Sequence, residues 1–306
     1  MRQVAVLLLI VAIAIFQPPG ARADSSHIRI VRNAGIIDVY FGAGRFALPQ
    51  SALLKWVKEA ADAVCEYYGG MPLKRVVVRV SAAPGRGVGF ATASEEGGCG
   101  LVEIPVGVRT TQRDLDDDWT LTHEMVHLAF PLVDSEHRWV AEGIATYVEP
   151  FGRLHTRALT AEKVWRDLVR ELPQGNPKEG DRGLNHTPTW ERTYWGGALF
   201  FLLADIEIHE RTKGKKGLRD ALRAIARQGG HIASDWTVEE SFAVGDSATG
   251  VPVLQNLYAQ MRARPVAVDL PELWRRLGVK DDGDTVTFSD TAPLSWIRQS
   301  ITVGNL

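Results

Sequence analysis

Residues 123–127 read His-Glu-Met-Val-His, and no other stretch of the 306-residue chain constrains its architecture as strongly. Two histidines four residues apart lie one above the other on a helix face, so both imidazoles can reach one metal ion at about 2.0–2.1 Å. Glu124 then points to the open side of the metal, where it can take a proton from a water molecule. The flanking residues are apolar and predict a mostly buried helix: Leu121, Met125, Val126, Leu128 and Phe130.

A third ligand has to come from elsewhere, because catalytic zinc uses three protein ligands and keeps one open position. Glu142 belongs to residues 138–147, whose apolar residues recur with helical spacing, and Gly143 beside it leaves room for another backbone. A carboxylate on a second helix facing the first would complete a His-His-Glu site for Zn²⁺. The acidic and histidine candidates downstream of the motif are Asp134, Glu136, His137, Glu142 and Glu149.

The sequence resembles the gluzincin zinc metallopeptidases in two segments, His123-Glu-Met-Val-His127 and Trp139-Val-Ala-Glu142-Gly-Ile-Ala. It is most similar to the thermolysin-like catalytic domain of the glycyl aminopeptidase and leukotriene-hydrolase-like aminopeptidase families. The resemblance implies that His123, His127 and Glu142 bind Zn²⁺ and that Glu124 is the general base. It also implies a thermolysin-like metallopeptidase domain.

A third similarity lies at residues 193–199, which read Thr-Tyr-Trp-Gly-Gly-Ala-Leu where these families have Tyr-x-Lys-Gly-Ala-Leu. The resemblance implies that Tyr194 hydrogen-bonds the oxyanion of the tetrahedral intermediate, although Gly196 replaces the lysine. Residues 87–98 lack the Gly-x-Met-Glu-Asn segment whose glutamate binds the substrate amino terminus in the aminopeptidases. Glu95 or Glu96 is a candidate substitute, but the sequence does not support exopeptidase specificity.

These similarities predict a zinc metallopeptidase that hydrolyses peptide bonds with a metal-activated water and with Glu124 as general base. Two alternatives stay open at this point. One is an inactive relative that keeps the fold as a peptide-binding module, although such a module has no use for a proton acceptor. The other is a zinc hydrolase of the same fold that acts on a non-peptide bond, because the metal chemistry is shared.

The order of the predicted elements indicates an α+β protein with an amino-terminal mixed β-sheet packed on a mostly helical carboxy-terminal part. Residues 24–114 form the β-rich part: a β-hairpin or meander in 27–48, a helix over 50–68, and strands at 74–81 and 101–108. Pro105 suggests that the last strand has an exposed edge, on which an extended peptide pairs by analogy. Residues 115–306 form the helical zinc-binding part, which ends in a short helix and a strand pair.

The amino end predicts export. Residues 4–16 contain 13 residues without a polar side chain, and Ala21-Arg22-Ala23 has the pattern of a cleavage site. Residues 1–23 therefore fit a secretory signal peptide, and the protein is expected to be periplasmic or secreted. The alternative is an uncleaved membrane anchor, but 13 apolar residues are short of the roughly 20 that span a bilayer.

The amino-acid composition and net charge limit the kinds of binding partner that we expect. The chain is 45% hydrophobic with a formal net charge of −2, which is typical of a folded protein and gives no sign of nucleic-acid binding. We expect a peptide or protein substrate and no stable membrane insertion after cleavage of the signal peptide. Two cysteines, Cys65 and Cys99, either pair in an oxidising compartment or stay free. The sequence contains no signal for an oligomeric state.

Overall fold

The computed structural model describes residues 26–32 and 35–304, so the predicted signal peptide at residues 1–23 lies outside the described residues. A mixed sheet comes first and helices dominate the rest of the chain, as expected from the sequence. The strands are β1 (Ser26–Arg32), β2 (Gly35–Phe41), β3 (Arg75–Ala83), β4 (Thr92–Glu96), β5 (Cys99–Gly107), β6 (Val279–Asp281) and β7 (Val286–Phe288). The helices are α1 (Gln50–Tyr68), α2 (Gln112–Asp116), α3 (Thr120–His127), α4 (Arg138–His155), α5 (Ala161–Glu171), α6 (Gly197–Thr212), α7 (Leu218–Arg227), α8 (Val238–Thr249), α9 (Val253–Met261), α10 (Leu270–Leu277) and α11 (Ser295–Val303).

Five strands form the main sheet in the order β1-β2-β3-β5-β4. The outer pairs β1–β2 and β4–β5 are antiparallel, and the inner pairs β2–β3 and β3–β5 are parallel. Helix α1 makes the crossover between the parallel strands β2 and β3, and Gly69 ends it in the left-handed conformation with φ of 79°. Alternation along β3 buries Val76, Val78 and Val80 against the core.

The expectation that the strand containing Pro105 has an exposed edge was wrong. Strand β5 lies between β3 and β4, and Pro105 is paired in register with Ser81. The glycine-rich segment before it folds into the antiparallel strand β4, which turns into β5 through Gly97 and Gly98, both with positive φ. The edge next to the zinc motif is therefore β4, and no strand of the described residues pairs with its outer side.

The helical half contains one helix that the sequence analysis omitted. Helix α11 follows the strand pair β6–β7, and Ile297 and Ile301 bury its inner face. Among the described residues, no helix combines the length and the apolar character needed to cross a bilayer. Both cysteines are free thiols: Cys65 is buried in α1 and Cys99 is half-buried in β5.

Candidate metal centre

The three predicted metal ligands converge in space. Helix α3 carries His123 and His127, and helix α4 carries Glu142. One ligand atom from each residue lies within 4.8 Å of the other two. The distance from Glu142 Oε2 is 3.2 Å to His123 Nε2 and 3.4 Å to His127 Nε2, so a single carboxylate oxygen faces both imidazoles.

Close contact between two glycines sets the position of Glu142. A Cβ atom added at Gly143 would lie 2.5 Å from the Gly197 backbone, and one added at Gly197 would lie 2.3 Å from the Trp139 carbonyl oxygen. Only residues without a side chain permit this contact, so α4 and α6 cross nearly backbone to backbone. The room predicted beside Gly143 is thus occupied by the start of α6. Glu142 is the neighbour of that contact and faces α3.

The other acidic candidates for the third ligand form hydrogen bonds with other side chains instead. Asp134 Oδ1 lies 2.8 Å from His137 Nδ1, and Glu149 accepts a hydrogen bond of 2.8 Å from Arg153. Glu136 accepts a hydrogen bond from the Asn185 amide. Within residues 26–32 and 35–304, no further histidine, cysteine or carboxylate joins the cluster of three.

The protonation states of His123 and Glu142 favour the binding of a cation. Burial lowers the pKa of His123 to about 4, against the opposing hydrogen bond with Glu142, so its imidazole is neutral near pH 7. Burial alone would raise the pKa of Glu142, but the bonds with His123 and His127 outweigh burial and hold that pKa well below its usual value. Two ring nitrogens and one carboxylate oxygen, with no fourth ligand among the described residues, fit a catalytic zinc site with one open position.

Glu124 lines the cavity that opens beside this cluster. The cavity has a volume of about 330 Å³ and is also lined by His127 and Glu142. Ala93 in β4 lines the same cavity, next to the sheet edge. Burial raises the pKa of Glu124, which makes its carboxylate a stronger proton acceptor than an exposed one.

Tyr194 lines the same cavity as Glu124. It belongs to a single π-helical turn, Arg192–Gly196, that leads into α6, and such turns often occur at functional sites. Its ring stacks on His123 with 6.1 Å between ring centroids, and Glu142 and Arg138 line the same cavity. Burial raises the pKa of Tyr194, so its hydroxyl keeps its proton and can donate it in a hydrogen bond.

Two residues at the site, Arg138 and Trp119, were not among the residues predicted from the sequence. Arg138 Nε donates a hydrogen bond of 3.3 Å to Glu142 Oε1, the oxygen that faces away from the two histidines. The signal was present, because Arg138 precedes Glu142 by four residues on one helix and such residues are neighbours. Trp119 and Trp190 are exposed by 52% and 58% and line a second cavity of about 450 Å³ beside His123.

Neither acidic residue suggested for binding a substrate amino terminus reaches the site. Both lie at the end of β4 that is remote from Thr92, next to the turn into β5. Glu95 accepts a hydrogen bond from the Gly98 backbone, and Glu96 lies 2.8 Å from the Arg79 guanidinium. The described residues that line the 330 Å³ cavity include neither of them.

Comparisons with known proteins show the fold. No family model matches the sequence, and no curated protein matches it significantly. A crystal structure of an aminopeptidase N family protein from Idiomarina loihiensis is similar with a TM-score of 0.60 and 13% identity over 88% of this chain. A variant of a two-domain M1 zinc metallopeptidase bound to L-arginine has a TM-score of 0.52 and 15% identity over 80% of this chain. A variant of an M1 zinc metallopeptidase from Deinococcus radiodurans bound to a Tyr-Ser-Ala substrate has a TM-score of 0.50 and 14% identity over 80%.

This chain spans 53% of the length of each of these three structures. At 13–15% identity the similarity concerns the fold alone. The mixed sheet followed by a mostly helical part is thus an arrangement shared with the M1 zinc metallopeptidases.

Proposed function

We propose that this protein is a zinc-dependent peptidase of the gluzincin type. The observation that carries the proposal is the convergence of His123, His127 and Glu142 around one point, with Glu124 on the cavity side of that point. The shared fold with M1 zinc metallopeptidases supports it. A thermolysin-like catalytic mechanism is part of the proposal.

In this proposal His123, His127 and Glu142 hold Zn²⁺, which when bound acidifies a water molecule and polarises a carbonyl group. Glu124 accepts the proton of the attacking water and passes it to the leaving amine. Tyr194 donates a hydrogen bond to the oxygen that becomes negatively charged, and one such donor is typically worth about 3–4 kcal/mol of barrier. His123 stays neutral, as a zinc ligand must, because its burial disfavours the protonated ring.

The proposed substrate is an extended peptide or protein segment. The outer side of β4 is free of strand pairing in the described residues, and Thr92 and Ala93 line the same cavity as Glu124. An exposed strand edge offers backbone groups to which a peptide can add as a further strand. Phe90 and Leu132 at the rim are exposed by 83% and 73%, and apolar side chains in such positions suit apolar peptide side chains.

Zinc content and cleavage test the proposal together. Purified wild type, Glu124→Gln and the matched control Glu95→Gln are loaded with zinc, analysed by mass spectrometry for bound metal, and incubated with a library of quenched peptides. We expect one zinc per chain in all three, cleavage by wild type and Glu95→Gln, and a loss of about 10²–10⁴-fold in Glu124→Gln. Zinc without cleavage by wild type would favour a binding module or a non-peptide hydrolase. Absence of zinc would refute the metal site.

We also propose that the protein is exported, on the basis of residues 1–23. Expression of the full chain in a bacterium, followed by fractionation and amino-terminal sequencing, tests this. Export predicts a chain outside the cytoplasm that begins at Asp24. A cytoplasmic chain that keeps residues 1–23 would contradict it.

A further inference from the structure

We propose that Arg138, together with Tyr194, forms an anion-binding pair beside the metal ligands, and that this pair receives the oxyanion of the reaction. The inference rests on the proposed function for its catalytic meaning. Its anion-binding part stands on geometry alone and is tested separately below.

Arg138 lies against the outer oxygen of the third ligand. Glu142 Oε2 faces the two histidines, while Oε1 accepts the 3.3 Å hydrogen bond from Arg138 Nε. The guanidinium is therefore one carboxylate group away from the point on which the three ligands converge. Tyr194 lines the same two cavities as Arg138, and Glu142 lines one of them, so the phenol and the guanidinium border one space beside the third ligand.

Most of the donor capacity of Arg138 is unused. A guanidinium carries five N–H groups, and in the part of the chain that the structure describes Arg138 uses one of them, Nε–H, in its hydrogen bond to Glu142. The side chain is 60% exposed and lines both the 330 Å³ cavity and a neighbouring cavity of about 410 Å³. The remaining N–H groups thus border the space in which a substrate would lie.

The charges around these two cavities give Arg138 a distinct role. Their described lining contains Glu124, Asp134, Glu136 and Glu142, and Arg138 is the one lysine or arginine among these lining residues. An anion that enters this space is repelled by these four carboxylates and attracted by the guanidinium of Arg138. A charge-assisted hydrogen bond from a guanidinium is about twice as strong as a neutral one, so Arg138 can offset that repulsion.

Peptide hydrolysis creates such an anion. As the water oxygen forms its bond to the carbonyl carbon, the electron pair of the C=O π bond moves to the carbonyl oxygen and the water proton moves to Glu124. The C=O bond then reforms, the C–N bond breaks, and the amine takes the proton from Glu124. The negative charge on the carbonyl oxygen exists only between these two steps, so a donor aimed at it lowers the barrier without tightening substrate binding.

A different role for Arg138 is to hold Glu142 in place. Two substitutions separate the roles: Arg138→Met removes the charge and the donors, and Arg138→Lys keeps the charge but loses the planar fork. Arg113→Met is the matched control, because Arg113 also lies four residues from a carboxylate, at 3.5 Å from Asp117, and is 87% exposed. All variants are checked for zinc content and thermal unfolding before use.

The probe is inorganic phosphate, a tetrahedral anion, titrated calorimetrically into the zinc-loaded proteins. We expect measurable binding in wild type and Arg113→Met, a loss of at least about tenfold in Arg138→Met, and an intermediate affinity in Arg138→Lys. With a cleaved peptide, Arg138→Met should lower kcat about 10²-fold and leave KM within about threefold.

Equal phosphate affinity in wild type and Arg138→Met, or no binding by wild type, would overturn the anion-binding pair. Weaker zinc binding in Arg138→Met with unchanged phosphate affinity once loaded would reduce Arg138 to a positioning residue. If wild type cleaves no peptide, the proposed function fails, and the phosphate titration still decides whether Arg138 binds an anion.

Discussion

Two carboxylates are buried in different halves of this molecule, Asp38 in strand β2 and Glu142 in helix α4. Both have pKa values held below their usual range, and both make several bonds to nitrogen atoms. The Asp38 oxygens accept hydrogen bonds from the guanidinium groups of Arg29, at 2.8 and 3.2 Å, and of Arg75, at 2.9 Å. Burial and a low pKa therefore do not distinguish a structural carboxylate from a functional one.

The two carboxylates differ in the groups that face their oxygen atoms. Both oxygens of Asp38 accept hydrogen bonds from permanently charged guanidinium groups, and Oδ1 also lies 3.0 Å from His27 Nε2, so its charge is satisfied within the fold. Glu142 Oε2 faces two imidazoles, of which His123 is held neutral by burial, and these ligand atoms leave a gap that a cation can fill. The Glu142 cluster also opens into a cavity, whereas the Asp38 cluster lies between the strands of the sheet. Arg138 pairs with the other oxygen of Glu142, Oε1, so the mark of the candidate site is that Oε2 faces two imidazoles and, among the described residues, no lysine or arginine, next to open space.

The strongest way to break this comparison is to remove Glu142. Glu142→Ala should weaken zinc binding by more than about 10²-fold, the upper range for losing a group that only supports a ligand. At free zinc 1,000 times the wild-type Kd, zinc should raise the free energy of unfolding of wild type by about 4 kcal/mol. Urea unfolding with zinc and with a chelator measures this difference. An equal zinc effect in wild type and Glu142→Ala would contradict the ligand assignment.

Asp38→Asn should affect stability and leave zinc binding unchanged, the opposite of Glu142→Ala. Its loss of charge-assisted hydrogen bonds should lower the free energy of unfolding by about 2–3 kcal/mol, while zinc affinity stays unchanged. Because folding lowers the pKa of Asp38, chiefly through the hydrogen bond from Arg29, its stabilisation is present above its usual pKa of 3.8 and lost as the pH falls below it. Urea unfolding at pH 7 and pH 3 should show the difference between wild type and variant shrinking at pH 3. A constant difference would contradict this account.

Gly143→Ala sharpens the comparison by disturbing the placement of Glu142 without changing a ligand. The added methyl group would lie 2.5 Å from the Gly197 backbone, so α4 and α6 must move apart. We expect a loss of about 2 kcal/mol in the free energy of unfolding, as for other overpacked contacts. Zinc affinity should also fall, and a calorimetric titration would detect it. Unchanged stability and zinc affinity would show that the close crossing is not what positions Glu142.

Substitution of a third buried carboxylate, Glu149, should have the smallest effect on the free energy of unfolding. It lies seven residues after Glu142 on α4 and is paired with Arg153, but burial raises its pKa to about 7. A folded-state pKa above the usual 4.5 means that ionisation destabilises the fold, so wild type should lose stability as the pH rises from about 4.5 to 7.

Glu149→Gln should remove that loss. In metal-free protein we expect the variant to match wild type at pH 5 and to exceed it at pH 8 by an amount of the order of 1 kcal/mol, measured by urea unfolding. A variant that is less stable at pH 8 would mean that the ion pair with Arg153 outweighs burial.

Much of the local structure follows from the sequence. Apolar spacing over residues 50–68 coincides with helix α1, and alternation predicted the first hairpin and strand β3. The spacing of His123 and His127 was enough to place both on one helix face, because that arrangement depends on a single helix. The face of α4 that carries Glu142 was equally predictable.

Only the tertiary structure decided which elements meet. That Glu142 and none of its neighbours completes the cluster depends on the contact of Gly143 with Gly197, two residues separated by more than 50 positions in the chain. The turn that leads into α6 also places Tyr194 at the cavity that Glu142 and Arg138 line. Strand β4 became the edge beside Glu124 because the glycine-rich segment folds back on β5. Periodicity describes the faces of one element, whereas packing between distant elements determines which faces come together, and the candidate site lies at such a junction.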